Sequence, residues 1–131
     1  MLLENRYFYG KIVDEIPLPI YVFQDGDFKF YNQAFVDLSG YNRDEISNVD
    51  FLDLVHPNYR DTLMCLTRLA LSDHSSDLPS EFELQVLRKD GETRWVRIQP
   101  RVIEHDNQTA VLGVVSDISK YKNPEGLKRK V

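Results

Sequence analysis

Alternating apolar and polar positions between Ser80 and Ser119 predict an antiparallel sheet. Two turn signals, Lys89-Asp90-Gly91 and Asp106-Asn107-Gln108, separate three runs rich in β-branched and aromatic residues. The first two runs have one apolar and one polar face, which is typical of half-buried strands. Because a sheet of this length cannot bury itself alone, the pattern also predicts a helical cover, and the helices must come from the N-terminal part of the chain. The predicted fold class is therefore α+β.

Two segments are apolar on both faces. They are the last run, around Val111 to Val115, and an earlier run, Ile20 to Gln24. Strands of this kind lie at the centre of a sheet that is covered on both sides. We expect the middle helices to cover one face, and the N-terminal helix or a second copy of the protein to cover the other.

The N-terminal part of the chain begins with helical spacing over Leu2 to Glu15. Pro17 and Pro19 end this helix, because proline lacks the backbone donor and forces its predecessor into extended geometry. A strand, a turn and a strand then follow, over Ile20–Gln24, Asp25-Gly26-Asp27 and Phe28–Tyr31.

Short helices are predicted between these strands and the C-terminal sheet. Asn32 is a suitable N-cap for a helix through Ser39, and Gly40 suits its C′ position. Further helical segments are predicted over Asp44–Ile46, over Phe51–Val55 and from His56-Pro57 to about Ser72.

Composition narrows the function classes. The 131 residues fit one domain, and a net charge of −5 argues against a nucleic-acid partner. The single cysteine, Cys65, excludes an internal disulfide and fits a reducing compartment; at mid-helix we expect it to be a small core residue. No apolar run approaches the ~18 residues of a membrane span, and no signal peptide is evident. A soluble, cytoplasmic protein is expected.

Catalytic and metal-binding motifs are missing from the sequence. There is no glycine-rich phosphate loop, nucleophile elbow or HExxH motif, and no metal-site spacing. The acidic pairs Glu81/Glu83 and Asp50/Asp53 fit solvated faces and helix caps more simply than paired general acids. We therefore expect no catalysis.

A set of short motifs, weak alone but specific in this order, resembles the PAS sensor domain family over about Pro17 to Ser119. The resemblance implies a five-stranded antiparallel sheet, helices on one face, a small-molecule pocket between them and a sensory role. Residues 1–16 would be a flanking helix, 17–119 the sensor domain, and 120–131 the start of a linker to an output domain such as a histidine kinase or a cyclic-dinucleotide enzyme. The motifs are Asn32-Gln33-Ala34-Phe35, Gly40-Tyr41, His56-Pro57, Lys89-Asp90-Gly91-Glu92, Trp95-Val96, Leu112-Gly113-Val114-Val115 and Asp117-Ile118-Ser119.

The implied pocket would hold a small, mostly apolar ligand. An empty, packed core is the alternative for the same inward-facing side chains. The expected lining is Phe35, Leu38, Leu52, Leu63, Leu66, Phe82, Leu84, Val86, Val96, Ile98 and Val115.

Asp117, Ile118 and Ser119 match the Asp–Ile–Thr junction of the family, where the last strand passes to an exit segment. An Asp and a hydroxyl two residues apart can tie backbone donors on both sides, which favours a signal relay; the alternative is that they only finish a strand and cap a turn. Pro124 and Gly126 interrupt the exit, so a helix from Lys120 would run about one turn, and helix would restart with Asn123 as its cap.

This chain lacks the residues that bind flavin in related domains. Flavin-binding members carry Asn–Cys–Arg–Phe–Leu–Gln, whereas residues 48–53 here are Asn-Val-Asp-Phe-Leu-Asp, with Val49 at the cysteine position. Val86, Val96 and Val115 stand where those members place amides, so covalent flavin binding is not expected.

Haem-binding members use a histidine on or near the long helix. No histidine lies between Asn58 and Ser72. His56 fits a helix cap, while His74 and His105 lie in a polar run and at a turn, so haem is not expected either. The ligand stays unknown.

Interface candidates are Leu3, Phe8 and Ile12 of the N-terminal helix, which we expect to form a homodimer contact, and Trp95. Trp95 lies beside the outward stripe of Arg97, Gln99 and Arg101, which is either a docking surface or a solvated face. Two other functions remain open. One is a ligand-free dimerisation module with a solid core, and the other is a small α+β enzyme with buried carboxylates in a cone-shaped pocket.

Overall fold

Five strands form one antiparallel sheet in the computed structural model, which describes residues 2–122, with side chains from Phe8 onward. The spatial order places the first and last strands side by side at the centre, as β2-β1-β5-β4-β3. The predicted fold class is confirmed. The strands are β1 (Ile20–Gln24), β2 (Asp27–Tyr31), β3 (Phe82–Leu87), β4 (Thr93–His105) and β5 (Gln108–Asp117).

Two hairpins close with tight turns at the predicted positions. Gln24 pairs with Asp27, and His105 pairs with Gln108, so each loop contains two residues. In the second loop Asp106 and Asn107 have φ values of 52° and 62°. Asp and Asn tolerate this left-handed region better than other side chains, and two such residues match the right-handed twist of the flanking strands.

The helices lie in the predicted order, and only the long helix is clearly shorter than expected. The long helix does not begin at His56-Pro57; a 3-10 turn over Pro57–Tyr59 precedes it. His56 Nδ1 accepts the backbone N–H of Asn58 at 3.1 Å, which confirms the expected capping role. None of the helices described is long and apolar enough to cross a membrane. The helices are α1 (Leu2–Glu15), α2 (Gln33–Ser39), α3 (Arg43–Ile46) and α4 (Arg60–Ala70), with further 3-10 turns over Phe51–Leu54, Ser75–Asp77 and Ser119–Tyr121.

Helix α4 presents its apolar stripe to the sheet and its polar side to solvent. Leu63, Leu66, Thr67 and Ala70 follow the i, i+3, i+4, i+7 spacing of one helix face, and all contact a common cavity. Cys65 falls outside this stripe and is exposed. The expectation that Cys65 is a core residue was therefore wrong, because the helical period places it away from the sheet.

The two faces of the sheet differ in their environment. On the inner face, Leu84 and Val96 are cross-strand partners and are both fully buried. On the outer face, Val22 pairs with Leu112, and both are half-buried. Charged side chains continue this outer face on the neighbouring strands, where Glu83 and Arg97 are opposite each other and form an ion pair at 3.1 Å.

The side chain of Asn32 is completely buried and uses both ends of its amide. Its Oδ1 accepts the backbone N–H of Ile20 at 2.9 Å and that of Phe35 at 3.1 Å, so it starts β1 and caps α2 at once. Its Nδ2 donates to the carbonyl oxygens of Val13 at 3.0 Å and Leu18 at 2.9 Å. One amide thus joins the end of α1 to the sheet and to α2.

Helix α2 is fixed at its other end by the loop between β3 and β4. Gly40 ends the helix with φ 78°, and a Cβ there would lie 3.3 Å from the backbone nitrogen of Lys89. Arg88 Nη1 donates to the Leu38 carbonyl at 2.7 Å. The last carbonyls of the helix are therefore satisfied by the sheet side of the domain.

We expect Asn32→Ala to lower the free energy of unfolding by about 3 kcal/mol or more. The substitution leaves the partly buried N–H of Ile20 and carbonyl of Leu18 without partners and removes the side-chain cap of α2, and each unsatisfied buried group costs about 1–3 kcal/mol. Urea denaturation measures the change. Asn42→Ala is the matched control, because Asn42 is also a helix N-cap but lies at an exposed capping box and should cost about 1 kcal/mol. Equal costs for both variants would contradict this role.

Candidate ligand pocket and C-terminal junction

A cavity of about 90 Å³ lies between the inner face of the sheet and the helices. Its wall is almost entirely apolar, and no Asp, Glu, His, Lys or Arg is among the lining residues of the described chain. Hydroxyl groups are its only polar side chains. The lining residues are Tyr21, Phe23, Phe28, Phe35, Leu38, Ser39, Phe51, Leu54, Val55, Leu63, Leu66, Thr67, Ala70, Leu78, Phe82, Leu84, Val86, Ile98, Pro100, Val111 and Val115.

Most residues of the predicted lining border this cavity. They are Phe35, Leu38, Leu63, Leu66, Phe82, Leu84, Val86, Ile98 and Val115.

Leu52 and Val96 do not line the cavity. Residues 51–54 form a 3-10 turn, in which positions i and i+3 lie on one side, so Phe51 and Leu54 line the cavity in place of Leu52. Val96 faces inward and belongs to the same core cluster as Leu84, but it is covered by its neighbours and is not among the residues that line the cavity.

Sequence reasoning predicted Phe35 and Phe82 but missed the other aromatic side chains of the wall, which are Tyr21, Phe23, Phe28 and Phe51. Phe23 and Phe51 pack with ring centroids 4.4 Å apart, and Phe28 lies 5.5 Å from Phe23. The signal was present in β1, where Tyr21 and Phe23 alternate with aliphatic residues, but the sequence does not tell which face of this strand points inward.

Two of the hydroxyls at the cavity already have partners in the backbone. Ser39 Oγ donates to the Val36 carbonyl at 2.7 Å, and Thr67 Oγ1 donates to the Leu63 carbonyl at 2.8 Å. The third belongs to Tyr21, which packs against the core, and burial raises its pKa to about 12. At neutral pH its hydroxyl is therefore protonated.

The valines that replace the flavin-binding residues of related domains lie in two different environments. Val86 and Val115 line the cavity, so they present methyl groups there. Val49 lies outside it and packs against the cluster that contains Phe35 and Ile46. Within residues 2–122, no group of three or more His, Cys, Asp or Glu side chains is arranged to hold a metal ion.

The predicted relay residues are tied to a single residue of β4. Ile118 donates its backbone N–H to the Trp95 carbonyl at 2.9 Å, and Ser119 Oγ accepts the Trp95 N–H at 3.0 Å. Asp117 Oδ1 accepts the backbone N–H of Ser119 at 2.9 Å. The carboxylate and the hydroxyl therefore hold the chain in a defined turn where it leaves the sheet.

The ring of Trp95 contacts both sides of this junction. Tyr59, which immediately precedes α4, meets it edge-on at 5.6 Å, and Lys122 Nζ lies 5.1 Å from the ring centroid. Lys122 also pairs with Glu83 at 2.7 Å. Hydrogen bonds from Lys122 and Arg97 hold the pKa of the Glu83 carboxyl below its usual range, so this carboxylate is charged at neutral pH.

The predicted interface residues lie in different environments. Phe8 and Ile12 on α1 are 59% and 43% exposed, and Tyr9 beside them is exposed as well. The ring of Trp95 is instead partly covered by Tyr59 and Lys122. The side chain of Leu3 lies outside the described part of the structure.

The exit segment begins with a single 3-10 turn over Ser119–Tyr121, within the one turn expected from the sequence. The predicted helix restart at Asn123 and the breaks at Pro124 and Gly126 lie outside the described residues.

Known proteins with this fold were found by comparison of sequence and structure. A family model described as "PAS fold" matches residues 28–116. A search of the curated proteins finds no match.

Several solved structures resemble this chain at low sequence identity. The PAS domain of a Colwellia psychrerythraea protein is 22% identical, with a TM-score of 0.70, over 92% of this chain and 99% of that one. A sensory box histidine kinase/response regulator from Burkholderia thailandensis E264 is 17% identical, with a TM-score of 0.65, over 92% of each chain. The N-terminal domain of a diguanylate cyclase with a PAS/PAC sensor from Marinobacter aquaeolei is 19% identical, with a TM-score of 0.65, over 81% of this chain and 99% of that one.

At these identities the structures establish the fold alone, whereas the family model covers more than half of the sequence. Together with the sheet order and the cavity between sheet and helices, this match leads to one conclusion: the chain belongs to the PAS fold family.

Proposed function

We propose that this chain is a cytoplasmic sensory module that binds a small, mostly apolar ligand in its cavity and relays the change through Asp117, Ile118 and Ser119. The observation that carries the proposal is the apolar cavity between α4 and the sheet. The relay would act on an attached output domain, with residues 120–131 as the start of the linker.

The cavity has an energetic cost that a ligand would offset. Unfilled volume in a protein core costs roughly 24 cal/mol per Å³, which for 90 Å³ is about 2 kcal/mol. An apolar molecule that enters the cavity restores the missing van der Waals contacts and removes its own surface from water. The free energy that the unfilled cavity costs the folded chain can therefore contribute to the affinity for a ligand.

The size and chemistry of the wall limit the ligand class. The cavity is smaller than the ~150 Å³ apolar cavity that binds benzene, so it suits a molecule of a few heavy atoms. An ion is disfavoured, because no charged side chain lines the described cavity to compensate its desolvation.

A continuous set of contacts leads from the cavity to the junction. Leu63 of α4 lines the cavity, and Tyr59 at the start of the same helix packs against the same core cluster. Tyr59 contacts the Trp95 ring, and the Trp95 backbone holds Ile118 and Ser119. A shift of α4 on ligand binding would therefore change the packing around the residue that anchors the exit segment.

The output domain is inferred from the related structures. A histidine kinase and a diguanylate cyclase are among the proteins whose PAS-type domains resemble this one. We propose an output domain of one of these two classes, and a homodimer that forms through the exposed apolar side chains of α1.

A ligand-free interaction module is the second candidate. The small volume of the cavity favours it, since a void of this size can persist as a packing defect.

We expect the wild-type protein to bind 2-methyl-1-butene in the cavity, with NMR shifts at the methyl groups of Leu63 and Val115. Ala70→Leu fills part of the cavity from α4 and should weaken binding by about tenfold or more. Val102→Leu is the matched control, because Val102 is 40% exposed and does not line the cavity. Absence of binding to the wild type would favour the ligand-free module.

We expect Ser119→Ala to weaken the attachment of the exit segment to β4 without altering the cavity. Loss of the bond to the Trp95 N–H should cost about 1 kcal/mol and speed hydrogen exchange at Trp95 and Ile118 by about fivefold. Trp95 is the only tryptophan of the chain, so its fluorescence reports on the junction directly. Added 2-methyl-1-butene should shift this fluorescence in the wild type and shift it less in the variant at equal occupancy.

Ser116→Ala serves as the control for the relay. Ser116 lies on β5, three residues before Ser119 and opposite Arg97, and its hydroxyl makes no hydrogen bond in the described structure. A filled cavity that leaves both Trp95 fluorescence and Ile118 exchange unchanged would contradict the relay.

We expect the double variant Phe8→Glu/Ile12→Glu to raise the dimer dissociation constant by about tenfold or more, because it places two charges on the proposed apolar contact. Sedimentation velocity measures the dissociation constant. Leu71→Glu is the control, because Leu71 is similarly exposed, at 44%, but lies at the end of α4. A wild-type protein that is monomeric at all concentrations would contradict the proposed dimer.

A further inference from the structure

Among the residues that the structure describes, none forms a hydrogen bond with the hydroxyl of Tyr21, which distinguishes it from the other hydroxyls at the cavity. Ser39 and Thr67 both donate to backbone carbonyls of their own helices. The partly buried ring of Tyr21 packs against the core and lines the cavity. A phenylalanine would give the same ring contacts without a polar group that lacks a protein partner.

A glycine on the neighbouring strand provides the space for this ring. Tyr21 of β1 pairs with Gly113 of β5, and a Cβ on Gly113 would lie 2.2 Å from Cε2 and Cζ of the ring and 2.5 Å from its hydroxyl oxygen. No side chain fits at such distances, so the tyrosine lies across the β5 backbone only because residue 113 is glycine.

The neighbouring rings hold Tyr21 in this orientation. Phe28 meets it edge-on at 5.6 Å, and Phe35 lies 5.7 Å away. These ring contacts restrict the movement of the Tyr21 side chain, because a large change in its orientation would displace both neighbours. Burial also keeps the hydroxyl protonated, so that it can donate a hydrogen bond.

We propose that Tyr21 determines the specificity of the cavity, by donating a hydrogen bond to a single oxygen of a small, uncharged and otherwise apolar ligand. This inference rests on the proposed ligand-binding function and adds the polar group that the ligand carries. Small ketones fit this description, since a carbonyl oxygen accepts the bond and the alkyl groups contact the apolar wall.

Two probes that differ only in this group test the inference. Butanone and 2-methyl-1-butene have the same skeleton, with a carbonyl oxygen in one and a methylene group in the other. Dissociation constants for both are measured by NMR titration with the wild type and with Tyr21→Phe, which removes only the unpartnered hydroxyl. We expect the affinity for butanone relative to the alkene to fall by about tenfold in the variant.

Thr67→Val is the matched control. It also removes a hydroxyl at the cavity, but one that already donates to Leu63, so the relative affinity for the two probes should not change. The thermal midpoint of Tyr21→Phe should equal or exceed that of the wild type, because no protein hydrogen bond is lost.

The outcomes separate this inference from the proposed function. Binding of both probes with the same relative affinity in the wild type and in Tyr21→Phe would overturn the role of Tyr21 and leave the cavity as a binding site. Failure of the wild type to bind either probe would overturn the ligand-binding function together with this inference.

Discussion

The wall of the cavity that α2 forms depends on one buried amide, that of Asn32. Its oxygen starts β1 and caps α2, and its nitrogen holds the end of α1. The three elements come together at this side chain because each leaves backbone groups unpaired at its end, and the amide offers two N–H donors together with an oxygen that accepts two hydrogen bonds. Since α2 carries Phe35 and Leu38, the same network fixes one wall of the cavity against the sheet.

The opposite wall explains why space remains in the core. Helix α4 presents the small side chains of Thr67 and Ala70 toward the cavity, where larger ones would fill it. The aromatic rings on the sheet side cannot collapse into the gap, because Phe23, Phe28 and Phe51 pack against one another. Rigid aromatic contacts on one side and small side chains on the other leave a void in a core that is otherwise close-packed.

Local signals in the sequence predicted the elements well and the contacts across the sheet poorly. The cap at Asn32 and the two-residue turn at Asp106-Asn107 follow from backbone chemistry within a few residues. The place of Tyr21 over Gly113 depends on pairing between β1 and β5, which are separated by most of the chain, and periodicity does not identify a strand's partner. Leu52 was misassigned for a different reason, because a 3-10 turn repeats every three residues and selects Phe51 and Leu54.

A ligand of a few heavy atoms sets a limit on how the junction can respond. Binding shifts an equilibrium between two arrangements only by the difference in its affinity for them, and each tenfold difference corresponds to about 1.4 kcal/mol. A ligand this small has a small binding free energy, and the difference in its affinity for the two arrangements is smaller still. The free energies of the two arrangements of Trp95 and its partners must therefore differ by only a few kcal/mol. The contacts suit such a balance, since Tyr59 and Lys122 meet Trp95 through ring contacts, and Lys122 pairs with Glu83 at the surface. Each of these contacts is weak enough to be replaced by another, while the hydrogen bonds of the Ile118 N–H and the Ser119 hydroxyl to the Trp95 backbone keep the exit segment attached in both arrangements.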